Sequence, residues 1–250
     1  MVSHSSSKLP PLNSGAMNPG SIRAICFDLD NPLWEVGPVL MRAERILADW
    51  LGSRYPSIST AFPPEEILKV RETLLAERPD MAHDFTFLRR ETFVRIALAV
   101  GYDRDRSAAF AHDAFVLWHA ARNEVTPYAE VEPALLRLRT RYRLATLSNG
   151  NADLERIGIA HHFEVTLHAA ALGCAKPHAR SYAELAAALT LSPAEILFVG
   201  DEPHADVVGP RAAGMQTVWV NRGRVVWPDA LAAPDACIAD LTELEVLLRM

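Results

Sequence analysis

What this chain has little of narrows it before any motif is read. It holds three cysteines, Cys26, Cys174 and Cys237. They are odd in number, far apart and without a C-x-x-C pair, so neither a disulfide framework nor a thiolate zinc site is expected. Cys26 lies inside an apolar run and reads as a small buried hydrophobe. The nine histidines show no H-E-x-x-H or similar spacing, and the adjacent His161 and His162 are expected on the surface rather than on a metal. No apolar stretch approaches the ~20 residues that span a bilayer. An excess of positive charge is missing too. The formal charge of −6 speaks against nucleic acid or an anionic membrane as the main partner. The one basic run, RLRTRYR from Arg137 to Arg143, reads as a solvated helix end and strand start. A reducing, cytoplasmic setting fits this cysteine usage. The oligomeric state is left open.

At 250 residues the chain is long enough for one large domain or a core with a smaller companion. Residues 1–20 are rich in Ser, Pro, Asn and Gly, without an apolar core, and read as a disordered tail rather than a signal peptide. Met17 is an alternative candidate for the start of translation. Ile22, Ala24, Ile25, Cys26 and Phe27 form an apolar run typical of a buried parallel strand. Between residues 36 and 125 the period turns helical. The stripes are Val39/Ala43/Ile46/Leu47/Trp50/Leu51, then Ile67/Val70/Leu74, then Leu88/Phe93/Ile96/Ala97/Val100, then Phe110/Ala114/Phe115/Trp118. With breakers such as YPSISTAFPP between them, they predict four short helices in a small bundle. After Pro127 strand-like LATLS, ILFVGD, TVWVN and ACIAD alternate with helical segments, which predicts crossovers and a parallel sheet. The expected architecture is α/β: a three-layer Rossmann-like core (21–35 and 126–250) interrupted by a helical cap (36–125).

Four polar signals then fall at predicted strand ends. Asp28 and Asp30 follow the first strand; Ser148, Asn149 and Gly150 follow LATL; Lys176 opens a helix; Asp201 follows ILFVG, with Asp206 five residues on. Each alone has an ordinary explanation as a turn, a cap or a surface residue. Parallel strands, however, bring their carboxyl ends to one edge, so the four converge. Crowded carboxylates repel by ~4 kcal/mol per pair at 4 Å and an effective dielectric near 20. Oxygen-only donors of this kind suit a hard divalent ion such as Mg2+. In that setting Asp28 is a candidate nucleophile forming an aspartyl-phosphate, and Asp30 a candidate acid that protonates the leaving oxygen and then activates water. Lys176 offsets charge, while the Ser148 hydroxyl and the loop at Gly150 hold phosphoryl oxygens.

DLDNPL, LSNGN, AKP and GDEPHADVVGPRAAGMQTVWVNR together resemble the haloacid dehalogenase-like hydrolase superfamily, over essentially everything after residue 21. The resemblance implies a Rossmann-like core, a mobile cap between the first and second motifs and Mg2+-dependent chemistry. It implies Asp28 as nucleophile and metal ligand, and Asp30 as acid/base with its main-chain carbonyl on the metal. Ser148 and Asn149 bind phosphate, Lys176 neutralises charge, Asp201 ligates the metal and Asp206 supports it. Halide-displacing and phosphonate-cleaving members lack an acid at the position of Asp30, so a small phosphorylated metabolite is the expected partner. Phosphomutase, 2-haloacid dehalogenase and weakened, scaffold-like members remain alternatives, the last because of Pro32 and Pro210. Pro32 removes an N–H and is expected to disturb the aim of Asp30, so that Pro32→Thr raises turnover. Trp34 is expected in the core or at the entrance. Arg89 and Arg90 are candidate anion clamps or solvated helix residues.

Overall fold

The computed structural model describes residues 17–249. Of the tail expected at 1–20, residues 1–16 lie outside the described part, whereas 17–20 are ordered against the core. Met17 packs on the main hydrophobic cluster, and Asn18 donates its N–H to Gln216 Oε1 at 2.7 Å. That polar anchor across the chain is invisible to composition.

The chain enters β1 (Ala24–Phe27) and leaves at once for a helical insert: α1 (Val36–Arg54), α2 (Pro56–Ala61), α3 (Pro64–Glu77), α4 (Phe85–Ala99) and α5 (Arg104–Arg122). It returns through α6 (Val131–Leu138), β2 (Arg143–Ser148), α7 (Leu154–Ile157), β3 (Val165–His168), α8 (Ala169–Leu172), α9 (Ala179–Leu189) and β4 (Ile196–Gly200). A wide π-type turn (Pro203–Val208) then runs into α10 (Gly209–Ala212), followed by β5 (Gln216–Val220), β6 (Ala236–Ile238) and α11 (Leu241–Leu247). The six strands are all parallel in the order β3-β2-β1-β4-β5-β6. The winding direction changes at β1/β4, and that is where such sheets leave a crevice beyond the strand ends.

Alternation along the strands divides the core. Ile25 and Phe27 face a cluster completed by α6 and α11, while Ala24 and Cys26 face Tyr182, Leu185 and Leu189 of α9. The result is a helix–sheet–helix sandwich, as the alternating pattern predicts. β3 was not among the expected strands. It is a four-residue edge strand, half-exposed along its length, too short and too polar to stand out. The insert contains α2 within a segment expected to be a breaker, because Pro56 sits at a helix start, where its missing N–H costs nothing. Its own core gathers Leu47, Leu51, Ile58, Phe93, Ile96 and Trp118 around Phe110, whose ring lies 4.9 Å from Tyr55 and 5.9 Å from Trp50. The basic run is absorbed by exposed ion pairs, Arg137 with Glu245 and Arg143 with Glu164. Among the described residues no helix is long and apolar enough to cross a membrane.

Candidate active site

The rim of the sheet is built strand by strand. β1 ends as the Asp28 N–H bonds to the Val199 carbonyl at 2.9 Å, which carries the ladder one residue past the strand and fixes the root of the Asp28 side chain. The next residues close one helical turn, Leu33 N–H to Leu29 O at 3.1 Å. That turn needs no donor from residue 32, so Pro32 is accommodated. Asn31 takes φ 75°, a left-handed conformation that asparagine tolerates. Asn31 then donates from Nδ2 to Asp201 Oδ2 at 3.0 Å. Asp30 is itself held from two sides. Its Oδ1 accepts from Trp34 Nε1 at 2.8 Å, and both oxygens accept from Arg122 Nη2 at 3.0 and 2.7 Å. Trp34 is fully buried; it belongs to the core and holds Asp30 at the same time.

After β2, the Ser148 hydroxyl accepts from the Gly150 N–H at 3.0 Å. Gly150 permits a close approach: a Cβ there would sit 3.1 Å from Asp30 Oδ2 and 3.4 Å from Arg122 Nη2, so one of them would have to shift by a few tenths of an ångström. Asn149 has a further role. Its amide meets the Lys176 main chain, Nδ2 donating to O at 2.9 Å and Oδ1 accepting the N–H at 2.8 Å. Its side chain therefore positions the lysine while the residue lines the same cavity. Lys176 itself lies in the turn before α9 rather than opening the helix, and its Nζ donates to Asp28 Oδ1 at 2.8 Å and to Asp206 Oδ1 at 2.7 Å. After β4, Asp206 Oδ2 accepts the N–H groups of Asp201 and Glu202 at 3.0 and 2.9 Å. A methyl group on Gly200 would overlap that carboxyl. Pro210 falls where the π-type turn passes into α10; a widened turn is the relief that a ring without an N–H requires.

All eight expected site residues line one cavity of about 710 Å³ between core and insert. Its electrostatics are those of a cation site. Desolvation pushes the Asp28 carboxyl up to about 8, against the pull of Lys176. Desolvation, then the neighbouring Asp206, pushes Asp201 up to about 6. Burial alone would depress the Lys176 ammonium, but Asp206 and Asp28 more than reverse this and raise it. Carboxylate oxygens of Asp28, Asp201 and Asp206 lie within 4.8 Å of one another. Asp206 is fully engaged by Lys176 and two N–H groups, which leaves Asp28 and Asp201 with oxygens to spare. Oxygen-only donors carrying more negative charge than one ammonium answers fit a hard divalent cation.

Arg122 was not expected. It closes the insert's last helix, is buried, and reaches across to Asp30. Its signal is a charge on an apolar stripe, since Ala114, Trp118 and Arg122 follow at four-residue steps. His119 Nε2 meets the Asn151 carbonyl at 2.9 Å and Asn123 accepts the Asp153 N–H at 2.8 Å. The end of α5 is thus stitched to the loop after β2. Arg89 lines the cavity, while Arg90 does not and sits near the Phe115 ring. His162 is buried, not on the surface as expected, and bonds to Glu132 at 2.9 Å beside His161. Its other ring nitrogen, Nδ1, has no partner. A metal-bound imidazole normally donates that N–H to an acceptor, so this trio is an ordinary His–Glu contact. The Cys26 thiol is buried, and burial raises its pKa, so it is inert.

Comparison with known proteins agrees with this geometry. The haloacid dehalogenase-like hydrolase family matches residues 22–214. The 5-amino-6-(5-phospho-D-ribitylamino)uracil phosphatase YigB of Escherichia coli K12 is 30% identical over 202 residues, 81% of this chain and 84% of that protein. A phosphoserine phosphatase of Thermus thermophilus is 40% identical over 123 residues, 47% of this chain and 49% of that protein. The crystal structure of a 2-haloacid dehalogenase from Pseudomonas syringae pv. tomato DC3000 superposes with a TM-score of 0.87 at 34% identity, covering 91% of this chain and 98% of that one. The relatives thus include both phosphatases and a dehalogenase. From β1 to the end of α10, with every polar signal of the rim inside the matched span, this chain belongs to the haloacid dehalogenase-like hydrolase family.

Proposed function

We propose that the chain is a Mg2+-dependent hydrolase of phosphate monoesters that works through an aspartyl-phosphate. The observation that carries this reading is the second carboxylate. Asp30 is held by Trp34 and Arg122 in the same cavity as Asp28, and an alkoxide needs a proton to leave whereas a halide does not. Asp28 attacks phosphorus as the P–O bond to the leaving group breaks, and Asp30 gives that oxygen its proton. Asp30 then takes a proton from water, the water oxygen attacks the phosphoryl group, and inorganic phosphate leaves with Asp28 restored. Lys176 keeps a third N–H beyond those on Asp28 and Asp206 for a phosphoryl oxygen. Ser148, whose oxygen accepts from Gly150, keeps its proton to donate. Mg2+, held by Asp28, Asp201 and the Asp30 main chain, would supply the charge that offsets repulsion between carboxylate and phosphate dianion.

A halide-releasing reading is favoured by the likeness to dehalogenases, among them the Pseudomonas syringae structure. One experiment separates the two. Phosphate release from p-nitrophenyl phosphate is measured with Mg2+, with EDTA and for Asp28→Asn, beside halide release from 2-chloropropionate. The expected outcome is Mg2+-dependent phosphate release that Asp28→Asn lowers by at least about 10³-fold. Halide release without phosphate release would overturn the proposal.

A further inference from the structure

The far wall of the cavity belongs to the insert, and no step of the proposed hydrolysis uses it. α3 presents Leu68, Arg71, Glu72 and Leu75 to the cavity, a spacing that puts all four on one helical face. Phe85, at the start of α4, adds a ring. Leu68, Leu75 and Phe85 stay 43%, 40% and 50% exposed, although each is large and apolar. Clustered apolar exposure of this kind marks a surface that binds something. The two guanidinium groups of the wall differ. Arg89 is engaged, 3.6 Å over the Trp118 ring and paired with Glu44 at 2.7 Å. Arg71 has no ion-pair or hydrogen-bond partner among the described residues, and lies close enough to Arg89 to add to the desolvation that depresses that group. Glu72, its neighbour, acts with Glu66 and Glu65 on the Lys69 ammonium one turn back.

Resting on the phosphatase reading, we propose that this wall is a subsite for the non-reacting body of the substrate. That body is a planar or aliphatic group of roughly nucleoside size lying on Leu68, Leu75 and Phe85, and it ends in a second acidic group that pairs with Arg71. Size follows from volume. About 710 Å³ falls in the ~300–1,000 Å³ range of sites that enclose whole drug-sized ligands, and is far more than a two- or three-carbon acid fills. Charge follows from Arg71, the guanidinium of this wall without a counter-ion and less exposed than Glu72, which also has no ion-pair or hydrogen-bond partner among the described residues.

The test uses three benzylphosphonates, whose P–C bond cannot be hydrolysed, bearing a propionate, a propyl or a propylammonium group at the far end of the ring. Their binding to the full chain with Mg2+ is measured by calorimetry. The expected result is that the propionate binds about fivefold tighter than the propyl compound, as a half-exposed ion pair allows, and that Arg71→Gln removes this ratio. Undetectable binding, equal binding of all three, or a propionate advantage that survives Arg71→Gln overturns the subsite. Preference for the ammonium overturns it as well and assigns the wall to Glu72. A chain that ranks the probes as expected yet releases phosphate from no ester keeps the subsite and loses the phosphatase reading. A chain that hydrolyses esters but ranks the probes otherwise keeps the reading and loses the subsite.

Discussion

The two sides of the cavity are made by opposite rules. On the core side the functional side chains are buried or partly buried and have named partners: Lys176 with two carboxylates, Asp206 with two N–H groups, Asp30 with Trp34 and Arg122. On the insert side, away from Arg122, the α3 face and Phe85 are apolar and half-exposed, and Arg71 stands without a partner among the described residues. Low dielectric strengthens a satisfied polar network and penalises an unsatisfied one, so the core side can hold reacting groups in place. A wall of loosely committed side chains cannot do that, but it can accept varied ligand bodies. The contrast assigns chemistry to the rim and selection to the insert.

The largest effect that would break this contrast comes from Lys176→Met, which leaves Asp28 and Asp206 buried without their counter-ion. A loss of about 3–5 kcal/mol in denaturant unfolding is expected, together with loss of phosphate release; stability within about 1 kcal/mol of the parent would mean that the rim does not depend on its network. Of similar size but on the other side is Phe110→Ala in the aromatic centre of the insert, expected to cost about 3–5 kcal/mol. Here the affinity of the rim for inorganic phosphate should change less than about threefold, because Phe110 lies about three helical turns from Arg122, the α5 residue that reaches the rim. A large drop in that affinity would show that the sides are not independent.

Asp201→Asn sharpens the electrostatic half. Its carboxyl is pushed up to about 6, above the ~3.9 of an unfolded chain. The folded state therefore holds the proton more tightly, so the stability this group contributes is fully present below about pH 3.9 and is lost as pH rises through 6. Without divalent cations the variant should melt about 3–6 °C above the parent at pH 8, with the gap closing toward pH 4 and narrowing when Mg2+ is added. A gap independent of pH would sink the cation-site assignment. Smallest is Pro32→Thr. The turn at residue 32 uses no N–H there, so turnover should stay within about threefold of the parent rather than rise.

Much of the core was legible because its signals are local. An apolar run ending in Asp28 and Asp30 is a strand followed by a site, and strand ends in a parallel sheet share one edge by topology alone. The insert's helices were legible from the period of Leu47, Phe93 and Phe110, but α2 hid in a proline-rich stretch and β3 in a short polar one. Arg122 was missed because the carboxylate it serves lies 92 residues away, and nothing near Arg122 announces a partner. That Asn149 also holds Lys176 was missed because a side chain in a rim loop looks free until its neighbour across the crevice is known.

The sequence by itself determined which residue types gather at the rim, the α/β class and the presence of a helical insert, since periodicity and strand-end placement are properties of the chain alone. Only the tertiary structure decided that Asn149 serves Lys176, that Arg122 holds Asp30, and that Arg71 stands unpaired over an apolar wall. Each of those facts is a contact between segments far apart in sequence, and local pattern carries no information about which distant partner fills a hydrogen bond.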